Sequence, residues 1–313
     1  MDETYKAIKE FPEALIKAYN LPVPIIKKDF RKIVIIGLDE AYLAGLLLKE
    51  MLKKEISIPI EVHQGDFIHD YENDLVVLIS YSAGEREILR IFKKLTKKLK
   101  ENLLILTSNK QIIKKAEKRN SLIKLPKNIH PKLLFPYYFS PLIKVLVQSG
   151  IIKDKKAKIK RIAKLLKKHE NSLEREAIKL SLTLKNENPL FYVSKNFLST
   201  AYKLQIAIEK NAKTISHINQ IPELFYNEIE CLPASYFYPV LIIGKKDKKL
   251  WKKEIRFLKK LIKNFYEIKH YKLKEDERKF LIFYFADFLS YHLARLKNIE
   301  LEKEPNIEKI KTL

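Results

Sequence analysis

The chain has 313 residues, 46% of them hydrophobic, enough to bury a substantial core, and its length suggests two domains. No run of about 18 consecutive apolar residues occurs, and the opening Met1-Asp2-Glu3-Thr4 lacks a signal peptide's apolar segment, so a soluble, cytoplasmic protein with no membrane partner is expected. Lys and Arg number 62 against 38 Asp and Glu, a formal charge of +24 that suits either a polyanion or a small anionic substrate.

Many of these cations fall in helical stretches such as 94–100 and 153–168, interleaved with Ile, Leu and Ala at spacings that leave the charge on a solvated face. With no helix-turn-helix, zinc-ligand spacing or aromatic-glycine ribonucleoprotein signature, nucleic acid is not the expected partner. The lone Cys231 excludes an internal disulfide, and abundant Lys, Ile and Glu with little Cys and Met resembles a heat-adapted composition. None of the histidines forms a pair at metal-ligand spacing, so neither a metal nor a cofactor is expected.

An opening helix over 4–19 precedes Pro22 and Pro24. Short apolar runs then alternate with amphipathic stretches, the pattern of strand-helix units in a parallel sheet. Strands are predicted at 32–37, 58–63, 75–80, 102–107 and 121–125, and helices at 40–53, 84–98, 110–118 and 131–148. At the end of the third strand the apolar run stops at Ser80-Tyr81-Ser82 and turns into a helical pattern. In an open parallel sheet such a junction suits either a helix cap or an anion site. Beyond Gly150, a basic helical stretch over 153–168 leads to a second unit. It has strands at 191–193, 240–243 and 266–271, helices at 196–211, 250–263 and 276–296, and a short basic tail. The expected architecture is α/β: two three-layer αβα domains with mostly parallel sheets, at 1–150 and 151–313.

Several segments carry a common set of motifs in order. Glu209-Lys210-Asn211-Ala212-Lys213 stands against N-E-N-A-K, Pro222-Glu223-Leu224 against P-E-L, and Tyr226-Asn227-Glu228-Ile229 against H-N-E-I. Ser80-Tyr81-Ser82 matches the start of S-Y-S-G-N-T-E-E, Thr107-Ser108 that of T-S-G-G-K, and Leu125-Pro126 through Pro131-Lys132 fits I-P-x-G-x-Q-P-R. Asp287 through Ala294 is similar to D-x-x-S-Y-Y-L-A, and Ile307 through Lys311 to I-x-x-L-K. In these segments the chain resembles the bifunctional phosphoglucose/phosphomannose isomerases, built from two sugar isomerase (SIS) domains, over about residues 20–313.

The resemblance implies a homodimer that binds a sugar phosphate and moves a proton between two carbons through an enediol. It implies a phosphate cradle at Gly37, Ser80, Ser82, Glu85 and Ser108. Yet where the family turn reads G-M-G-G-S-A, this chain has Gly37-Leu38-Asp39-Glu40-Ala41-Tyr42. Two acids replace glycines whose missing side chains let backbone amides approach a phosphate. Glu85 replaces the family threonine, and Asn109 and Lys110 replace glycines of the third loop.

For catalysis the resemblance implies the glutamate of N-E-N as carbon base, the histidine of H-N-E-I in ring opening, and an arginine and a tail lysine as electrophiles. These positions fall on Lys210, Tyr226, Lys132 and Lys311, of which only Lys311 is unchanged. Glu209 adjoins the lost glutamate, but one helical step turns a side chain by about 100°. Asn227 and Glu228 are retained, and His130 takes the family's glutamine position. Three expectations follow: a sugar-phosphate-binding relative whose usual isomerisation is lost or altered; a working isomerase using Glu209 or Glu228 as base; or a basic nucleic-acid-associated protein.

Overall fold

In the computed structural model, residues 2–26, 29–65, 71, 73–82, 86–99, 102–117, 122–232, 236–262, 264–270, 272–301 and 303–312 are described. In chain order the first elements are α1 (Glu3–Tyr19), β1 (Ile33–Ile36), α2 (Glu40–Leu52), β2 (Ile60–His63), β3 (Leu75–Ile79), α3 (Arg86–Lys98), β4 (Leu103–Thr107), α4 (Lys110–Ala116), β5 (Leu122–Lys124) and α5 (Leu134–Gln148). There follow α6 (Lys156–Leu184), β6 (Asn188–Ser194), α7 (Leu198–Ala212), β7 (His217–Ile221), β8 (Phe237–Ile242), α8 (Lys245–Leu250), α9 (Lys252–Leu261), β9 (Tyr266–Glu267), α10 (Glu275–Leu296) and α11 (Pro305–Thr312). The chain forms two compact units, Met1–Lys164 with Pro305–Leu313, and Leu165–Glu304.

The first unit holds a parallel sheet in the order β2-β1-β3-β4-β5, with Ile33 opposite both Ile60 and Leu75, and Val76 opposite Leu103. Strands β1, β3 and β4 are buried throughout, which is why they read as unbroken apolar runs. Because successive side chains point to opposite faces, Val34, Ile36, Val76, Leu78, Leu103 and Ile105 share one core with Ile88, Ile91, Phe92 and Leu95 of α3 and Ile112 of α4. On the other face α2 packs against β1 and α5, and α5 against α1, where Phe11, Phe135 and Phe139 stack.

The second unit holds a parallel sheet in the order β7-β6-β8-β9. Leu190, Tyr192, Leu241 and Ile243 face Ile255, Leu258 and Ile262 from the α9 segment. The alternate residues Phe191, Val193, Val240 and Ile242 are buried as well. They serve the opposite face, on which α7 meets β6 and α10 packs along α7. Helix α10 is buried from Glu277 through Ser290, a central helix that is apolar almost all round.

Both sheets are parallel and flanked by helices, the architecture that the alternating pattern predicts. Four elements of the second half differ in extent. The basic helix continues to Leu184, because Leu173, Ala177, Leu180 and Leu184 keep the buried stripe beyond the lysines. Strand β7 is additional: His-Ile-Asn-Gln-Ile is an edge strand with one fully buried residue, so it carries no apolar run. The helix expected over 250–263 runs from Lys252 to Leu261, and a separate short helix, Lys245–Leu250, precedes it. The strand expected over 266–271 pairs only at Tyr266 and Glu267. No described helix is long and apolar enough to cross a membrane.

Candidate functional site

In the first unit the strand order reverses between β1 and β3, and in open parallel sheets the crevice outside the carboxyl ends at such a point is where ligands bind. Gly37, Ser80, Ser82 and Ser108 all follow the carboxyl ends of β1, β3 and β4. Gly37 is needed for packing, since a Cβ there would lie 2.6 Å from Ala41 Cβ and 3.3 Å from the Ile79 carbonyl. That close approach brings the start of α2 against the sheet.

Asp39, two residues on, has φ 56° and ψ −123°, a conformation that suits glycine, and its side chain makes no capping hydrogen bond to α2. The turn thus keeps a glycine-like backbone with a carboxylate on it. Such strain costs on the order of 1–3 kcal/mol, partly offset by the dipole of α2. Asp39→Gly is therefore expected to raise stability by about 1 kcal/mol in denaturant unfolding. A loss of stability would show that the contacts of the Asp39 side chain outweigh the backbone.

The loops after β3 and β4 are tied together. The Ser108 hydroxyl donates to the Tyr81 carbonyl at 2.8 Å, as does the Ser108 amide at 3.0 Å. The Asn109 amide group donates to the Ser82 carbonyl at 2.8 Å. Asn109 also caps α4 through its oxygen, and Ser80 is buried, its amide donating to the Leu106 carbonyl. Tyr81 links this loop pair onward, its hydroxyl donating to the Pro126 carbonyl at 3.1 Å and accepting from the Ile129 amide at 2.8 Å. The same segment leads to His130, whose Nδ1 accepts from the Lys132 amide at 3.2 Å. Gly37, Ser80, Ser82 and Ser108 thus follow the carboxyl ends of strands of one sheet, and Lys132 follows the segment that the Tyr81 hydroxyl ties to the loop after β3. Glu85 lies outside the described residues. Lys311 belongs to α11, with its side chain outside the described set.

In the second unit the end of α7 carries Glu209 and Lys210, which turn to different partners. Glu209 is exposed, and its Oε1 accepts from the Ser216 hydroxyl at 3.1 Å and the Ser216 amide at 3.3 Å. Lys210 Nζ lies 3.5 Å from Glu304 Oε1. Asn211 is buried and donates to the Ser290 hydroxyl at 2.9 Å, fastening α7 to α10. Lys213 ends the helix in the left-handed conformation.

Tyr226, Asn227 and Glu228 sit on short 3-10 turns after β7. Tyr226 is 75% exposed. The Asn227 oxygen accepts from the Glu228 amide at 2.5 Å, and its amide donates to Glu223 at 3.0 Å. Glu228 turns onto the sheet: one carboxylate oxygen accepts from the buried Tyr192 hydroxyl at 3.1 Å, the other from the Asn219 amide. Tyr192 and Asn219 are neighbours of Glu228 that sequence motifs do not reveal. Asn219 lies on the polar edge strand β7, and Tyr192 reads as one more apolar strand residue.

Burial and the adjacent Glu228 carboxylate push the Tyr192 phenol well above its ordinary 10.0. Because the folded value is raised, the stability it contributes is complete below about pH 10 and is lost as pH rises toward the folded value. Unfolding monitored across pH 9–11 is expected to show stability falling from about pH 10, with a smaller fall in Tyr192→Phe. An equal fall in both proteins would remove Tyr192 as its source. Among the described residues no group of three His, Cys, Asp or Glu side chains is placed to hold a metal ion.

Two parallel sheets flanked by helices, with serine-bearing loops at the carboxyl ends of the first sheet's strands, make this an α/β protein similar in sequence and fold to the SIS class of sugar-phosphate isomerase-like proteins. Within that class it resembles the bifunctional phosphoglucose/phosphomannose isomerases. Residues 173–313 match the family described as bacterial phospho-glucose isomerase C-terminal SIS domain. The bifunctional phosphoglucose/phosphomannose isomerase of Caldicellulosiruptor bescii is 27% identical over 93% of this chain and 93% of its own length. That of Thermoplasma volcanium is 25% identical over 90% and 91%. A D-glucosamine-6-phosphate 4-epimerase of Sulfolobus acidocaldarius is 24% identical over 77% of each chain. Among solved structures, glucosamine-6-phosphate deaminase from Thermotoga maritima superposes with a TM-score of 0.72 at 12% identity, covering 97% of this chain and 98% of its own. At that identity the likeness speaks for the fold.

Proposed function

We propose that this chain binds an anionic sugar phosphate, as a homodimer in the cytoplasm, and that the usual aldose-ketose isomerisation is lost or altered. The observation that carries this reading is the state of the groups at and beside the two positions where the relatives' motifs place acid and base. Lys210 and Tyr226 stand at those positions. The adjacent carboxylates are engaged: Glu209 with Ser216, and Glu228 with Tyr192 and Asn219. A carboxylate held by two donors within the fold must give up those contacts before it can reach a substrate carbon.

Ligand binding is supported by different features. Ser80, Ser82 and Ser108 lie on loops at the carboxyl end of the first sheet, and Lys132 follows the segment that Tyr81 ties to them, a setting whose backbone amides and nearby cation suit a phosphate. The names of the relatives, which are phosphosugar enzymes, support the same ligand class.

The test is a thermal-shift series with glucose 6-phosphate, mannose 6-phosphate, fructose 6-phosphate and glucosamine 6-phosphate beside the unphosphorylated sugars. A ligand at 100 times its dissociation constant stabilises the native state by about 2.7 kcal/mol, a shift of several degrees. At least one phosphate ester is expected to give it and its parent sugar none. No shift with any ester up to millimolar concentration would overturn the binding reading.

A further inference from the structure

We infer that the outer face of α9 is a docking surface for single-stranded nucleic acid, separate from the sugar-phosphate site. On a helix of 100° per residue, Lys253, Arg256, Phe257 and Lys260 fall within an arc of about 100°. All four are exposed, Phe257 at 57%. Ile255, Leu258 and the following Ile262 lie on the opposite side, where they are buried in the core of the second unit. Among the described residues no ion pair engages Lys253, Arg256 or Lys260, whereas Lys259, off this arc, is neutralised by Glu267 at 2.5 Å. The single acid of α9, Glu254, also lies off the arc.

The result is a row of uncompensated cations at (i, i+3) and (i, i+4) spacing, about 5–6 Å apart at Cβ, with one exposed aromatic ring among them. Like charges so placed destabilise a helix slightly, and an exposed phenylalanine contributes nothing to the core. A partner with repeated negative charge and flat apolar faces answers both features: phosphates meet the cations and a base stacks on the ring. A helix lying on an anionic membrane would need a free apolar face, and the apolar face of α9 is already buried in the fold.

The experiment measures binding of a fluorescein-labelled single-stranded oligonucleotide by anisotropy over a salt series. It compares the full-length protein, K253E/R256E/K260E, F257A, and the charge-matched K160E/R161E/K164E on α6. Each phosphate neutralised contributes about 0.7 to the slope of log affinity against log salt. The α9 triple variant is expected to bind at least tenfold more weakly with a slope smaller by about 2, and the α6 variant within about twofold of the parent. F257A, which leaves the charge intact, is expected to lose about fivefold or more with its slope unchanged.

Equal losses in the two triple variants would show that the net charge of +24 alone drives binding and would overturn the proposal. So would no loss in F257A, or retention on phosphatidylserine vesicles by a protein that ignores the oligonucleotide.

Discussion

Asp287→Ala is expected to cost about 3–5 kcal/mol of stability, a large fraction of the total for a domain of this size. Asp287 of α10 meets Lys203 of α7 at 3.0 Å, with side-chain exposures of 0% and 1%. Removing the carboxylate leaves an ammonium in the interior without its counter-charge, the costly case for a buried pair. Replacing both partners together by apolar residues, as in Lys203→Met with Asp287→Leu, is expected to cost less than Asp287→Ala alone, since no charge is then stranded. Denaturant unfolding of both proteins decides it. A loss under about 1 kcal/mol in Asp287→Ala, or a double variant worse than the single one, would mean that the pair does not hold the helices together. The pair also bears on the site, because α7 ends in Glu209 and Lys210 less than two turns beyond Lys203, so its register against α10 sets where those side chains emerge.

The purified protein is expected to show no interconversion of glucose 6-phosphate and fructose 6-phosphate above background, in a coupled assay run at elevated temperature. A general acid or base typically contributes 10²- to 10⁴-fold, so absence of even one removes most of the rate. Glu209→Gln and Glu228→Gln separate the alternatives. If a displaced carboxylate works as base, turnover is present in the parent and abolished in one of these variants while Lys210→Met retains it. If the carboxylates only hold structure, there is no turnover to abolish, and Glu228→Ala instead destabilises the protein by about 1–3 kcal/mol by leaving the Tyr192 hydroxyl without its acceptor. Robust turnover in the parent would overturn the loss of function.

Much of the fold is legible in the chain because it is written in local patterns. Ile33–Ile36, Leu75–Ile79 and Leu103–Thr107 are buried on both faces, and such strands must be continuously apolar wherever the tertiary structure places them. Strand β7 is the contrary case. At a sheet edge with polar His217, Asn219 and Gln220, it pairs through its backbone with β6, and backbone pairing leaves no mark on side-chain pattern. The separate short helix α8 and the brevity of β9 likewise leave no mark on the apolar pattern.

The site divides along the same line. From the chain alone follow the serine-bearing junctions, and from its resemblance the positions of Asp39 and Glu40 where the motif has glycines and of Lys210 and Tyr226 where it implies a base and an acid, because each is a matter of which residue stands where. Which of the remaining carboxylates is engaged was decided by tertiary structure alone. The partners of Glu228, Tyr192 and Asn219, lie 36 and 9 residues away in sequence, and only the pairing of β6 with β7 brings their polar groups within hydrogen-bonding reach of one carboxylate.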